Sequence, residues 1–162
     1  MGAVTFQAGM RLTPSRLNSL PKGEIYRAQR PSQATITTSE TGILRVDDAL
    51  LLAGRRYAIR VPRLRIDFST TSDRAAFRLR VNAAGLATTT SPSIARAETG
   101  DVQSVGLEGT RRPTVNETVS ILLSGTQYAG TSTATVQGLD EGGIEIIVED
   151  LGLAVPDTGI DI

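Results

Sequence analysis

GRRYAIRVPRLRIDFSTTSDRAAFRLRV, residues 54–81, holds three short runs in which apolar and polar residues alternate. Tyr57, Ile59 and Val61 point one way, with Ala58 and Arg60 opposite. After Pro62 the phase moves by one residue. Leu64, Ile66 and Phe68 become the inward set, and Arg63, Arg65 and Asp67 the outward one. Phe77, Leu79 and Val81 then alternate with Arg78 and Arg80. Period-two alternation marks a strand with one buried and one solvated face. Proline donates nothing to a ladder, so the slip at Pro62 and Arg63 predicts a bulge or a corner between two strands. The outer side of the resulting antiparallel sheet is expected to be wet and rich in arginine.

Outward from that stretch, further runs carry the same signal. Ile25 to Ala28, Ala34 to Thr38 and Ile43 to Val46 precede it, with Asp47 and Asp48 opening a loop before Leu50, Leu51 and Leu52. Residues 82–93 are small and polar and predict a long loop or an edge segment. Val102 to Leu107 is a modest strand candidate, followed by a turn-rich stretch from Glu108 to Pro113. Val119, Ile121 and Leu123 alternate cleanly; residues 131–137 form a threonine-rich strand; Ile144, Ile146 and Val148 alternate with Glu145 and Glu149. Eight to ten short strands at intervals of roughly 8–12 residues predict an all-β protein, a jelly-roll-like antiparallel β-sandwich. No long helix is available to link parallel strands.

The ends differ from the middle. Thr13, Pro14 and the apolar residues Leu17 and Leu20 predict a two-turn helix with a threonine N-cap and proline at its first position. So short a helix must lie on something to persist. With Phe6, Met10 and Leu12 ahead of it, residues 1–23 read as a docking arm, residues 24–150 as the sandwich, and residues 151–162 as an acidic tail or edge strand.

At 162 residues the chain suits one domain. Aromatic content is only 4%, so the core must be built from Ile, Leu, Val and Ala. There is neither Cys nor His, which removes disulfides, thiolate metal sites and the usual general base together. Lys22 stands alone as a base for any nucleophilic serine. Asp47 with Asp48, and Asp140 with Glu141, lack the alternating ligands of a calcium loop and read as turns. Gly106 to Gly109 is no phosphate loop, and the Arg55-Arg56 and Arg111-Arg112 pairs read as solvated or bridged to acids. The expectation is a protein that is not an enzyme and has no cofactor and no metal.

Charge is balanced overall but not along the chain. Residues 1–80 hold fourteen basic and six acidic residues, residues 81–162 three and eleven. The arginines interleave with core positions and no aromatic stacking platform accompanies them, which argues against nucleic acid. Mutual neutralisation is expected instead, with Arg60, Arg63, Arg65, Arg78 and Arg80 facing Glu145 and Glu149 across strands or between subunits. No run approaches the roughly 18 apolar residues that span a membrane. MGAVTFQAG lacks a signal-peptide layout, so synthesis in a cytoplasm is expected.

FQAGMRLTPSRLNSL (residues 6–20) resembles an N-terminal signature of small virion proteins from tailed phages of actinobacteria. Ile25-Tyr26, Asp47-Asp48-Ala49-Leu50 and Ala53-Gly54-Arg55-Arg56-Tyr57 are similar to later features of the same family. The resemblance covers residues 5–81 in detail. It implies a minor tail-type structural protein with a jelly-roll-like sandwich, partnered by other virion proteins and forming a homo-oligomer, a trimer by preference. Its alternatives are a capsid decoration protein and a carbohydrate- or receptor-binding module. The place implied is the virion, after synthesis in the host cytoplasm.

Overall fold

The computed structural model describes residues 20–68, 73–82, 93–98, 103–130, 133–138 and 144–154. The expected helix at residues 13–20, with Phe6, Met10, Leu12 and Leu17, lies outside them apart from Leu20.

The alternating stretch forms one long strand, β4 (Arg55–Phe68), and the slip is a bulge within it. Val61 and Leu64 are both fully buried, while Pro62 and Arg63 between them are exposed. Along one edge β4 pairs with β7 (Gln103–Arg111), from Tyr57↔Arg111 to Ile66↔Gln103. Its other edge is shared. β10 (Ile144–Leu153) takes the half before the bulge, and β9 (Ala134–Val136) the half after it. β1 (Gly23–Arg30) continues the sheet beyond β10, and β2 (Ala34–Ile36) beyond β9. Opposite the bulge stands Gly106, where an added Cβ would come 3.1 Å from the Pro62 carbonyl oxygen.

The second sheet runs β3 (Thr41–Leu51), β8 (Glu117–Ala129), β5 (Arg74–Val81), β6 (Ser93–Glu98). Every pairing in both sheets is antiparallel. The two inner faces enclose one apolar core, with Tyr57 and Phe77 among its largest wholly buried side chains. The architecture is the expected jelly-roll-like antiparallel sandwich. Along one side, β1 leans on the edge of β3. Tyr26 Oη accepts the Leu50 N–H at 2.9 Å, and Arg30 Nη1 donates to the Ile43 carbonyl at 2.8 Å. Side chains thereby occupy backbone groups that an edge strand would otherwise leave exposed.

Three local expectations fail. Asp47 and Asp48 lie inside β3, as the extra residues of a bulge between Val46 and Ala49. Asp48 takes a φ of 53°, a conformation Asp tolerates, and Val46 and Ala49 thereby both face the core. Glu108 to Arg111 continue β7, since Leu107 and Gly109 are buried against β4. The outer faces are not uniformly wet: Ala58, Ala76, Arg80 and Ser124 stand at outward positions yet are buried. β10 itself runs on to Leu153.

Gly125 of β8 lies between the sheets, and an added Cβ would meet Ile36 Cδ1 and Phe77 Cε1, each at 3.0 Å. Gly125→Ala should therefore destabilise the fold by about 1–3 kcal/mol through overpacking. Gly42→Ala, whose Cβ meets Leu122 Cδ1 at an ordinary 3.4 Å, should cost less than a third of that. Urea midpoints at unchanged slope measure both.

Candidate docking site at one end of the sandwich

Four segments converge where β4 begins. The turn at Ala53 and Gly54 feeds β4, and Gly54 adopts a φ of 71°, which glycine takes without strain. Its N–H donates to the Pro113 carbonyl at 3.0 Å, and its own carbonyl accepts the Ala154 N–H at 2.8 Å. The Ala53 N–H donates to Asn116 Oδ1 at 2.9 Å. Below the turn, the Leu52 N–H reaches Tyr57 Oη at 2.9 Å, and burial pushes the Tyr57 hydroxyl above its ordinary pKa.

Arg55, the first residue of β4, is turned inward. Its Nε donates to Asp150 Oδ2 at 2.7 Å, and its Nη2 to the Leu20 carbonyl at 2.7 Å. Asp150 Oδ1 accepts the N–H of Gly152 at 2.9 Å. Gly152 has a φ of 98°, and here the register of β10 against β4 slips between Asp150 and Leu153. The two charged side chains are only 6% and 3% exposed. Removing one partner of such a pair costs about 3–5 kcal/mol, because the other charge is stranded without water. The same converging segments expose two large apolar side chains, Leu153 (54%) and Val115 (67%).

The outward charges of the first sheet form a ladder. Arg27, Ile147, Arg60 and Glu108 are in register across β1, β10, β4 and β7. Arg60 pairs with Glu149 and, at 3.2 Å, with Glu108, while Arg27 pairs with Glu24 at 2.6 Å and Glu145 at 3.5 Å. Glu145 also accepts from Gln29. Each exposed pair of this kind contributes only about 0.2–1 kcal/mol. On the second sheet Arg80 forks onto Glu40, with bonds of 2.9 and 2.8 Å, and the buried Ser124 hydroxyl donates to the same carboxylate. Arg111 forks onto Glu117 at 2.6 and 2.7 Å.

Of the charged residues expected at subunit contacts, Arg60, Arg80, Glu145 and Glu149 thus have partners within the chain. Arg63 is exposed and donates to Ser104 Oγ at 3.3 Å; Arg65 and Arg78 are half-buried, Arg78 close enough to Glu40 to lower its pKa. Leu20 is half-buried, and its carbonyl is held by Arg55. Arg55 continues the buried alternation of residues 57, 59 and 61, and Asp150 that of residues 144, 146 and 148. The sequence reads Arg55 as solvated or bridged to an acid; what it does not give is which acid, nor the tie to Leu20. A shallow depression of about 280 Å³ lies over the β4 bulge, lined by Arg60, Val61, Pro62, Gly106, Leu107 and Glu108. Among the described residues no group of three or more His, Cys, Asp or Glu could hold a metal, and no helix is long and apolar enough to cross a membrane.

No protein-family model and no curated protein matches the chain. Among solved structures, it is similar to the N-terminal endo-1,4-beta-D-xylanase 10B of Clostridium thermocellum, CBM22-1 and GH10 modules complexed with xylohexaose, at 10% identity and a TM-score of 0.37. That similarity covers 82% of this chain but 28% of the other, so the chain spans less than a third of that structure's length.

Hydrogen bonds from Arg80 hold the Glu40 carboxyl below its ordinary pKa of 4.5, and those from Arg111 do the same for Glu117. A depressed folded pKa contributes stability that is present above the unfolded value and lost as pH falls through the folded one. The urea midpoint should therefore hold above about pH 5 and decline below about pH 4.5. Glu40→Gln should lower the midpoint at pH 7 and flatten the decline; an unchanged acid limb in that variant would contradict the assignment.

Proposed function

We propose that this chain is a non-enzymatic structural protein of a tailed-phage virion, a minor tail-type component that docks through residues 1–19 and displays the sandwich. The observation that carries the reading is the anchoring of the Leu20 carbonyl by the buried Arg55. A segment bearing Phe6, Met10, Leu12 and Leu17 leads into the domain at a fixed point, beside exposed Val115 and Leu153. The resemblance of residues 6–20 to virion proteins supports the same assignment.

Docking of this kind works with weak contacts. Several copies held in one ring raise the effective concentration of each remaining arm, so modest apolar burial per arm suffices. The ladder of Arg60 with Glu108 and Glu149 keeps the displayed face neutral and hydrated, which disfavours random association.

Deleting residues 1–19 keeps Leu20 and hence the Arg55 bond. The truncated chain should unfold at a urea concentration close to that of the full chain. Supplied during infection in place of the full chain, it should be missing from purified particles. Truncated protein present in particles at full-length amounts would overturn the proposal. Copy number separates the tail role from head decoration: a handful per particle fits the tail, hundreds fit the head.

A further inference from the structure

We propose that the buried pair of Arg55 and Asp150 is a positioning latch for the leading segment, fixing where and in which direction the chain before Leu20 leaves the sandwich. Arg55 is a positioning residue here, acting on docking only through Leu20. The inference rests on the docking reading above for its purpose, but its geometry stands without it.

A buried ion pair is weak evidence of stabilisation. Apolar residues of similar volume in its place are often neutral or stabilising, because they avoid desolvating two charges. What a guanidinium offers and an apolar side chain does not is a planar fork of donors at fixed angles. One nitrogen of this fork is committed to Asp150 at 2.7 Å, and another to the carbonyl of Leu20, 35 positions earlier in the chain. Leu20 precedes β1, which starts at Gly23, so the sheet ladder does not place it. Asp150 is itself held, since its second oxygen accepts the Gly152 N–H at the register slip of β10.

The knot therefore ties three things with one cation: the start of β4, the end of β10 and the root of the leading segment. For a docking arm the consequence is entropic. A root fixed in place leaves fewer residues to order when the arm binds, and each residue spared keeps its backbone entropy cost out of the binding step.

The chain has no cysteine, so spin labels can be placed uniquely. Ser19→Cys paired with Thr110→Cys reports the arm root against an exposed position of β7; Thr118→Cys paired with Thr110→Cys is a control between the sheets. Double electron–electron resonance on the purified full chain should give a narrow root distribution in the parent. The width should grow about twofold or more in Arg55→Met/Asp150→Leu, while its control pair and urea midpoint stay near parental values. Should that double variant unfold, Arg55→Lys reads the same quantity, since it keeps the cation but loses the fork. A root distribution already broad in the parent, or one equally narrow in a folded variant, overturns the latch. Because no particle is involved, that failure is separate from failure of the docking reading, which particle incorporation tests.

Discussion

Val61 and Leu64 both belong to the core between the sheets although three positions separate them, and a regular strand would put them on opposite faces. The constraint is met by one extra residue at Pro62 and Arg63, which turns the chain over and puts both halves of β4 on the core. Much else follows from that bulge. A strand that changes phase midway also twists and bends more sharply. β4 accordingly serves two partners along one edge, β10 before the bulge and β9 after it, and β7 along the other. Gly106 opposite the bulge has no Cβ to collide with Pro62.

Charge is handled in layers. On the outer faces, arginines and carboxylates pair across strands and cover small residues such as Ala58. These contacts are weak singly, and they let an arginine-rich half of the chain lie flat against an acidic half. At one end the same chemistry is taken inside, where Arg55 meets Asp150 with water excluded. That end also carries residues 52–54, 113–116 and 153–154, together with the point where residue 20 joins. The other end carries residues 31–33 and 37–40, with Thr37 and Thr38 carbonyls accepting from Gln127 and Thr126. The two ends thus differ: chain entry and exposed Val115 and Leu153 lie at one, polar turns with exposed Tyr128 at the other.

Much of this was legible in the sequence because a half-buried strand writes its orientation every second residue. The runs at 57–61, 64–68, 77–81, 119–123 and 144–148 bury the apolar set that alternation assigns, with Phe68 at the end of β4 only half-buried. Where the pattern breaks, reading stops being unique. Asp47 and Asp48 look like a solvated turn, yet a bulge absorbs them within β3. Glu108 to Arg111 look like a turn because Gly109 and Thr110 carry little apolar signal, yet β4 supplies the pairing. Arg80 alternates outward as expected but is covered, because Glu40 from the segment before β3 folds over it, and composition says nothing of such long-range contacts. The knot at Arg55 was hidden for the same reason: alternation turns Arg55 and Asp150 inward, but Leu20, Arg55 and Asp150 are far apart in the chain and nothing in the sequence pairs them. Of the charged residues expected to pair across strands or between subunits, Arg60, Arg80, Glu145 and Glu149 have partners inside the chain; sequence alone does not distinguish the two kinds of pairing.

On the proposed reading the sandwich is a rigid knob, and the difference between its ends decides how it is mounted. The end holding Leu20, Gly54 and Leu153 would face the particle, and the polar turns at residues 31–33 and 37–40 would point away. A density map of assembled particles, with the domain placed by its two sheets, tests this most directly. The account predicts that the Gly54 end contacts the particle body and that density for residues 1–19 runs into a neighbouring protein. A domain seated by its opposite end, or residues 1–19 packed wholly against their own sandwich, would contradict it.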